Sequence, residues 1–453
     1  MTVVPESHEI IAALRQGLVP GKGLDHFATG LEPLAKAVLA DLALVADGNG
    51  GSKWIRGEYG SGKTLAGRYL CKAARAAGFA TAEVQVSIND TPLHHLETVY
   101  RRLVEKLETD DQGANAFQAV VDQWLYQLGD QVQRLKGITD SDPSFADETE
   151  QRLEDQLADL SRRNATFARV LRAYHRAQHE SDFATGQGLL AWLGGQPNVH
   201  RSVMAKAGVS GKIDGQAALT FLAGVLKLLR HSGYKGLVVV LDEVETIQRM
   251  NAQVRVKALI ALRQFMDAMA SGELPGLYLI VTGTRDFFEG YKGLRTEGAL
   301  FQRVNVEFDA DPTFDNLRAT QVRLKLFDKD RLIAVGKRIR DLFPAEHPER
   351  VTAKVTDAFL ERLADQLTQA FRGTVSVLPR QYLRKLTDVL DRVDQHETYD
   401  PSVHYKLTIS EDELSASELA AMRGEIEPVA EEVAAEPAAD AEAAGVKGRR
   451  LDG

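Results

Sequence analysis

Residues Gly57-Glu58-Tyr59-Gly60-Ser61-Gly62-Lys63-Thr64 constrain the local architecture more than any other stretch of the chain. An apolar pair, Trp54-Ile55, precedes them, and a helix-forming stretch, Leu65 to Ala77, follows. A glycine-rich loop between a strand and a helix can turn its backbone N–H groups inward around a polyphosphate. Side chains bearing Cβ would obstruct that path. The helix that follows aims its positive end at the same anion. The segment Gly57 to Leu65 is therefore read as a phosphate-binding loop. Lys63 supplies a point charge for the β- and γ-phosphates, and the Thr64 hydroxyl is placed to ligate Mg²⁺.

A second motif lies far downstream, its Asp242 179 positions beyond Lys63. Gly236-Leu237-Val238-Val239-Val240-Leu241-Asp242-Glu243 is a continuous apolar run ending in two acids. Such a run fits a central parallel strand covered on both faces. Ligands of open α/β sheets sit at the carboxyl ends of such strands. Asp242 is placed there to hold Mg²⁺, and Glu243 to orient and polarise the water attacking a γ-phosphate. Adjacent acids argue against a small-molecule kinase. No Asn-Lys-x-Asp guanine signature follows any apolar strand, so ATP is the expected nucleotide.

A third strand, Gly276 to Thr284, ends in Thr282-Gly283-Thr284. Thr284, or failing that Thr282, is expected to hydrogen-bond the attacking water or the γ-phosphate, against the alternative of a plain turn. Further on, Ala299-Leu300-Phe301-Gln302-Arg303 reads as a helix end. Val304 to Phe308 alternates as a strand would.

Composition places few limits. The content of charged residues, 26%, is that of an ordinary water-exposed protein, and no apolar run approaches a membrane span. The segment Met1 to Glu9 has neither a basic start nor an apolar core, so no secretory signal is expected and a cytoplasmic location is. Cys71 is alone, which excludes an intramolecular disulfide and a cysteine zinc site; it reads as a buried structural thiol. The net charge of −9 is concentrated at one end. Twelve acidic and four basic residues lie from Ile409 onward, leaving 52 acids against 51 bases in the rest. That end, Ala-, Glu- and Pro-rich, is expected to be a disordered acidic tail over 401–453.

The order of phosphate loop, apolar strand with Asp-Glu, Thr-Gly-Thr strand and Leu-Phe-Gln-Arg resembles AAA+ ATPases. More narrowly, Arg56 to Thr64, Pro92-Leu93-His94-His95-Leu96-Glu97-Thr98-Val99-Tyr100-Arg101-Arg102-Leu103 and Leu241-Asp242-Glu243-Val244-Glu245 resemble the BREX-system ATP-binding family, its BrxC/BrxD branch. The likeness covers about Gly17 to Asp394. It implies ATP and Mg²⁺ as cofactors and a setting of phage defence, beside helicases or methyltransferases. It implies that Arg303 is an arginine finger, which requires a homo-oligomer. It implies that Arg380, in Leu378-Pro379-Arg380, is a phosphate sensor on a helical lid, with Arg384 as fallback. It also implies that Val19 and Pro20 cup the adenine, although a plain loop fits them equally.

The gap between the two motifs holds an insertion, about 108–210, expected to be helical. Within it Leu153, Leu157, Leu160, Asn164, Phe167, Leu171 and Tyr174 form a heptad seam. The seam packs within the chain or, alternatively, on a partner, Asn164 then fixing register. The pairs Arg101-Arg102 and Arg162-Arg163, with Arg249, Arg255, Lys257 and Arg263, are dispersed, without interleaved aromatics, so DNA binding is only weakly signalled. No His/Glu metal-ligand spacing is read; His94-His95, being adjacent, diverge on a helix.

The expected fold is α/β: a parallel five-stranded P-loop (AAA+/ASCE) sheet within 1–310, carrying the helical insertion, then a helical lid over 311–400 and the acidic tail. Strands are expected near Lys53–Arg56, Thr81–Ile88, Leu237–Asp242, Leu277–Thr282 and Val304–Phe308. Two functions follow. One is an ATPase motor or loader acting on DNA or a partner complex; the other is a nucleotide-gated switch or scaffold with slow hydrolysis.

Overall fold

A computed structural model describes residues 6–325, 327–373, 378–414 and 416–424. All six residues of the strand Leu237–Asp242 (β4) are buried. Its alternate side chains serve two different cores. Leu237, Val239 and Leu241 join a large cluster on one face of the sheet, and Val238 and Val240 a smaller one on the other. A continuous apolar run is what such double burial demands.

The sheet has six strands: Gly51–Arg56 (β1), Ala80–Gln85 (β2), Leu107–Glu108 (β3), β4, Leu277–Gly283 (β5) and Gln321–Arg323 (β6). Their spatial order is β3-β2-β4-β5-β1-β6. Only the short edge pair, β2 with β3, is antiparallel; the other pairings are parallel. The register sets Gln85 opposite Asp242 and Arg56 opposite Gly283. The carboxyl ends of β1, β2, β4 and β5 therefore share one edge of the sheet.

The expectation of a strand at Val304–Phe308 is corrected. Val304 closes the helix Gly298–Val304, and no strand follows it before β6. The alternation has another cause. The Phe308 ring packs against two guanidiniums, with Arg56 5.1 Å and Arg323 5.2 Å from its centroid. The free edge of β1 is taken instead by Gln321–Arg323, with Trp54 opposite Gln321. Buried Lys53 fastens the approach to that strand by donating to the carbonyls of Leu317 (3.2 Å) and Ala319 (2.9 Å).

The insertion is helical: Phe117–Lys136, Phe145–Ser161, Ala165–His179, Phe183–Leu193 and Arg201–Lys206. The expected seam does not form one helix. The chain turns at 162–164, where Asn164 caps the next helix by accepting from Phe167 N at 2.9 Å. Leu153, Leu157, Leu160, Phe167, Leu171 and Tyr174 are buried in the larger core of the same chain, so of the two readings the intrachain one holds.

Four helices, Lys329–Leu342, Pro348–Lys354, Asp357–Ala370 and Pro379–Gln395, form a separate apolar core. The N-terminal helix Ser7–Arg15 joins it through Ile10, Ile11 and Leu14, and Arg15 bonds Asp391 through both nitrogens at 2.5 and 2.7 Å. Assigning all of 1–310 to the sheet unit therefore misses this return of the chain. The acidic segment also needs correction. A short helix Pro401–His404, a turn at Glu411–Glu413 and a helix Ala416–Arg423 follow the lid, and Leu407, Ile409, Leu414 and Met422 pack on its core. The expectation of disorder over 425–453 lies outside the described residues.

Candidate functional site

Where β1 ends, Gly57 N donates to Gly283 O of β5 at 3.0 Å, which ties the glycine loop to the sheet edge. Gly60 and Gly62 have φ of +79° and +87°, a region where side-chain-bearing residues are strained. A Cβ on Gly57 would collide with Ser61 Oγ. That hydroxyl is buried and has no hydrogen-bond partner among the described residues. Lys63 opens the helix Lys63–Ala76, and its Nζ donates to the carbonyls of Gly57 (3.0 Å) and Glu58 (3.2 Å).

The acids of β4 come to the same place. Thr64 Oγ1 donates to Asp242 Oδ2 at 2.6 Å, so the two expected Mg²⁺ ligands touch although 178 positions separate them. Thr282 donates to the other Asp242 oxygen and accepts from Glu243 N at 3.4 Å. Glu243 has φ of +59°, sparsely populated for a residue with a Cβ, and Gln85 Nε2 donates to its Oε2 at 2.8 Å. The strained turn starts a short helix, Val244–Arg249, that folds Glu245 back under the loop. Glu245 is 6% exposed, and its carboxylate stands 3.6 Å from Lys63 Nζ. Burial raises its proton affinity, Lys63 opposes that, and Asp242 and Glu243 add to it.

One cleft runs from these groups to the lid. It is lined by Tyr59, Gly60, Gly62, Lys63, Thr64, Leu65, Glu243 and Glu245 on the sheet side. Val19, Pro20, Phe27, Phe327, Tyr382 and Arg380 close it from the other side. Val19 is held by its carbonyl, which accepts from Arg68 Nη1 at 2.5 Å. Arg380 Nε donates to Gly17 O at 3.2 Å, and its Nη1 pairs at 3.2 Å with buried Glu418 of the C-terminal helix. The fallback, Arg384, faces Glu413 at 3.6 Å.

Two expected residues make no bond to this cluster among the described residues. Thr284 is buried at the start of the helix Arg285–Glu289 and makes no side-chain hydrogen bond to Asp242 or Glu243 among the described residues; Thr282, its fallback, is the one on Asp242. Arg303, in the last turn of the helix Gly298–Val304, is 45% exposed and is paired with Asp267. Gln85, Glu245 and Glu418 were not singled out from sequence. The parallel register of β2 with β4 carried a signal for Gln85, whereas only tertiary packing reveals the other two. His175 and His179 stand at an i, i+4 spacing also missed in the sequence. Their Nε2 atoms are 3.0 Å apart, a hydrogen-bonded pair and not a closed metal site.

These donors suit a nucleoside polyphosphate. Lys63, the backbone of Gly60 to Thr64 and the unpartnered Ser61 hydroxyl would hold the phosphates, and Thr64 with Asp242 would hold a divalent cation. Fold and cleft together define a mixed α/β protein with a glycine-loop cleft at the carboxyl edge of a mainly parallel sheet. The profile of the BREX system ATP-binding protein BrxC/D family matches residues 4–409, and the chain belongs to that family. No curated protein matches the chain. Among the described residues no helix is long and apolar enough to cross a membrane.

Proposed function

We propose that this protein is an oligomeric P-loop ATPase of the AAA+ type that binds ATP with Mg²⁺ and hydrolyses it in the cytoplasm during phage defence. The observation that carries the reading is the 2.6 Å hydrogen bond between Thr64 and Asp242 beside Lys63. An interior strand and a glycine loop supply opposite halves of one cation–phosphate site. A bound Mg²⁺ would neutralise phosphate charge there. Glu243 orients and deprotonates the attacking water, and Lys63 balances charge on the phosphates. Val19 and Pro20 receive the adenine, and Arg380 reaches the phosphates from the lid. Arg303 acts on the site of a neighbouring subunit. The BREX setting of the family supports duplex DNA, or a helicase or methyltransferase complex, as the object of the work.

The test is phosphate release with Mg²⁺, with nucleotide binding measured alongside. Glu243→Gln is expected to lower turnover by at least about 100-fold while ATP remains bound. Equal turnover in both proteins would remove Glu243 from the mechanism. A second reading, a nucleotide-gated switch or scaffold with slow hydrolysis, draws on Gln85, which holds the Glu243 carboxylate. A nucleotide-driven change in assembly with negligible turnover favours that reading. If DNA is engaged, its affinity falls steeply with salt, since phosphate contacts release counterions.

A further inference from the structure

We propose that Glu245 tunes this site through Lys63: its buried carboxylate competes with incoming phosphates for the ammonium and thereby holds nucleotide affinity down and speeds product release. The proposal rests on the reading of the cleft as a nucleotide site.

Three observations carry it. Both carboxylate oxygens of Glu245 are buried and accept from no other residue among the described residues, only its own backbone amide assisting, and Lys63 Nζ, at 3.6 Å, is beyond hydrogen-bond reach. A carboxylate used as a structural tether would be satisfied by donors of other residues; one without them calls for a role other than tethering. Second, Lys63 does not need Glu245 for its placement, because the Gly57 and Glu58 carbonyls already hold its ammonium at 3.0 and 3.2 Å. Glu245 therefore acts on the charge of Lys63 more than on its position. Third, Glu245 lines the same cleft as Lys63, Thr64 and Glu243, so a polyphosphate bound to Lys63 meets this carboxylate as a like charge in a poorly solvated place.

The sign of the effect separates this role from a merely structural one. Removing a packing or folding residue weakens binding. Removing a competing charge strengthens it. Glu245→Gln keeps the shape of the side chain and is expected to tighten ADP by about tenfold and to slow its release by a similar factor. Glu245→Ala should move in the same direction, and Glu245→Asp, which keeps the charge, should stay close to the wild type.

The experiment is calorimetric titration of the full chain with ADP in Mg²⁺ buffer for these variants. Stopped-flow release of a fluorescent ADP analogue and thermal midpoints accompany it. Tighter binding in Glu245→Gln and Glu245→Ala supports the proposal. Equal or weaker binding in Glu245→Gln, with ADP still taken up by the wild type, overturns it and leaves the nucleotide reading standing. Should Glu245→Gln fail to fold, the affinity of Glu245→Ala decides by the same sign. No binding of ADP by any of the proteins, the wild type included, overturns both.

Discussion

At the scale of single residues, the site is governed by which oxygen reaches Asp242. Thr282 donates to Asp242 and also accepts from the Glu243 amide, so it fixes the proposed metal ligand and the proposed base together. Thr282→Val keeps the volume and removes both bonds. We expect the Mg²⁺ concentration for half-maximal phosphate release to rise about tenfold, as for other losses of a group that orients a metal ligand. Thr284→Val should leave that midpoint within about twofold by the same reasoning, because among the described residues Asp242 is bonded by Thr64 and Thr282 and not by Thr284. A Mg²⁺ titration of both variants decides between them. Two threonines flanking one glycine cannot be ranked from sequence, since the choice depends on where β5 stops against β4. Cys71 was legible, because a lone cysteine in an apolar helix has few other roles. It is fully buried against the sheet, and burial pushes its thiol up to about 12. Native protein at pH 8 should therefore resist thiol labelling for hours. Labelling should become complete in denaturant, where the ordinary thiol value returns.

At the scale of elements, the interior strands could be read from sequence because burial on both faces leaves a continuous apolar signature. The edge strand could not. Gln321–Arg323 contributes one fully buried apolar side chain, Val322, and owes its position to β1 and to the carbonyls fastened by Lys53. Conversely, Val304 to Phe308 carried the pattern of a strand without a partner to pair with. The insertion shows a related ambiguity: spacings of four and three persist across the turn at 162–164, so sequence alone reads two helices as one seam. Those helices are tied to the sheet unit by charge as well as packing. Lys227, on the helix Gly215–His231, pairs with Asp159 at the end of Phe145–Ser161. The hydrogen bond from Lys227 holds the Asp159 carboxyl below its ordinary value of 3.8, with burial opposing and the Lys227 charge assisting. The stabilisation is therefore present above that ordinary value and is lost as pH falls through the lower, folded value. The side chain is 39% exposed, so solvent screens the effect and the shift should be small. Urea midpoints between pH 3 and pH 7 should fall less steeply in Asp159→Asn than in the wild type. Parallel curves would mean that the pair contributes nothing measurable.

At the scale of the whole molecule, the cleft lies where three separated stretches of chain meet: the loop Gly17 to Pro20, the glycine loop, and the lid helix with Arg380. The N-terminal helix and the C-terminal segment both pack on the lid core, an arrangement no local pattern announces. Arg303 belongs to this scale too, because its expected role needs a second subunit. Within one chain it is engaged by Asp267, an exposed pair that costs little to break. To reach a neighbour's phosphate it must exchange that acid for a more concentrated negative charge. The exchange can be tested by mixing two inactive proteins. Arg303→Ala keeps its own nucleotide site but lacks a finger, and Glu243→Gln keeps its finger but lacks the base. Each alone should turn over at background. If the arginine acts between subunits, random mixing at equal concentrations places an intact site against an intact finger at about one interface in four. The mixture should then recover about a quarter of the wild-type rate. Recovery should rise with protein concentration, as assembly requires. If the mixture stays at background while size measurements report co-assembly, Arg303 is a surface cation paired with Asp267, and the finger must be sought elsewhere.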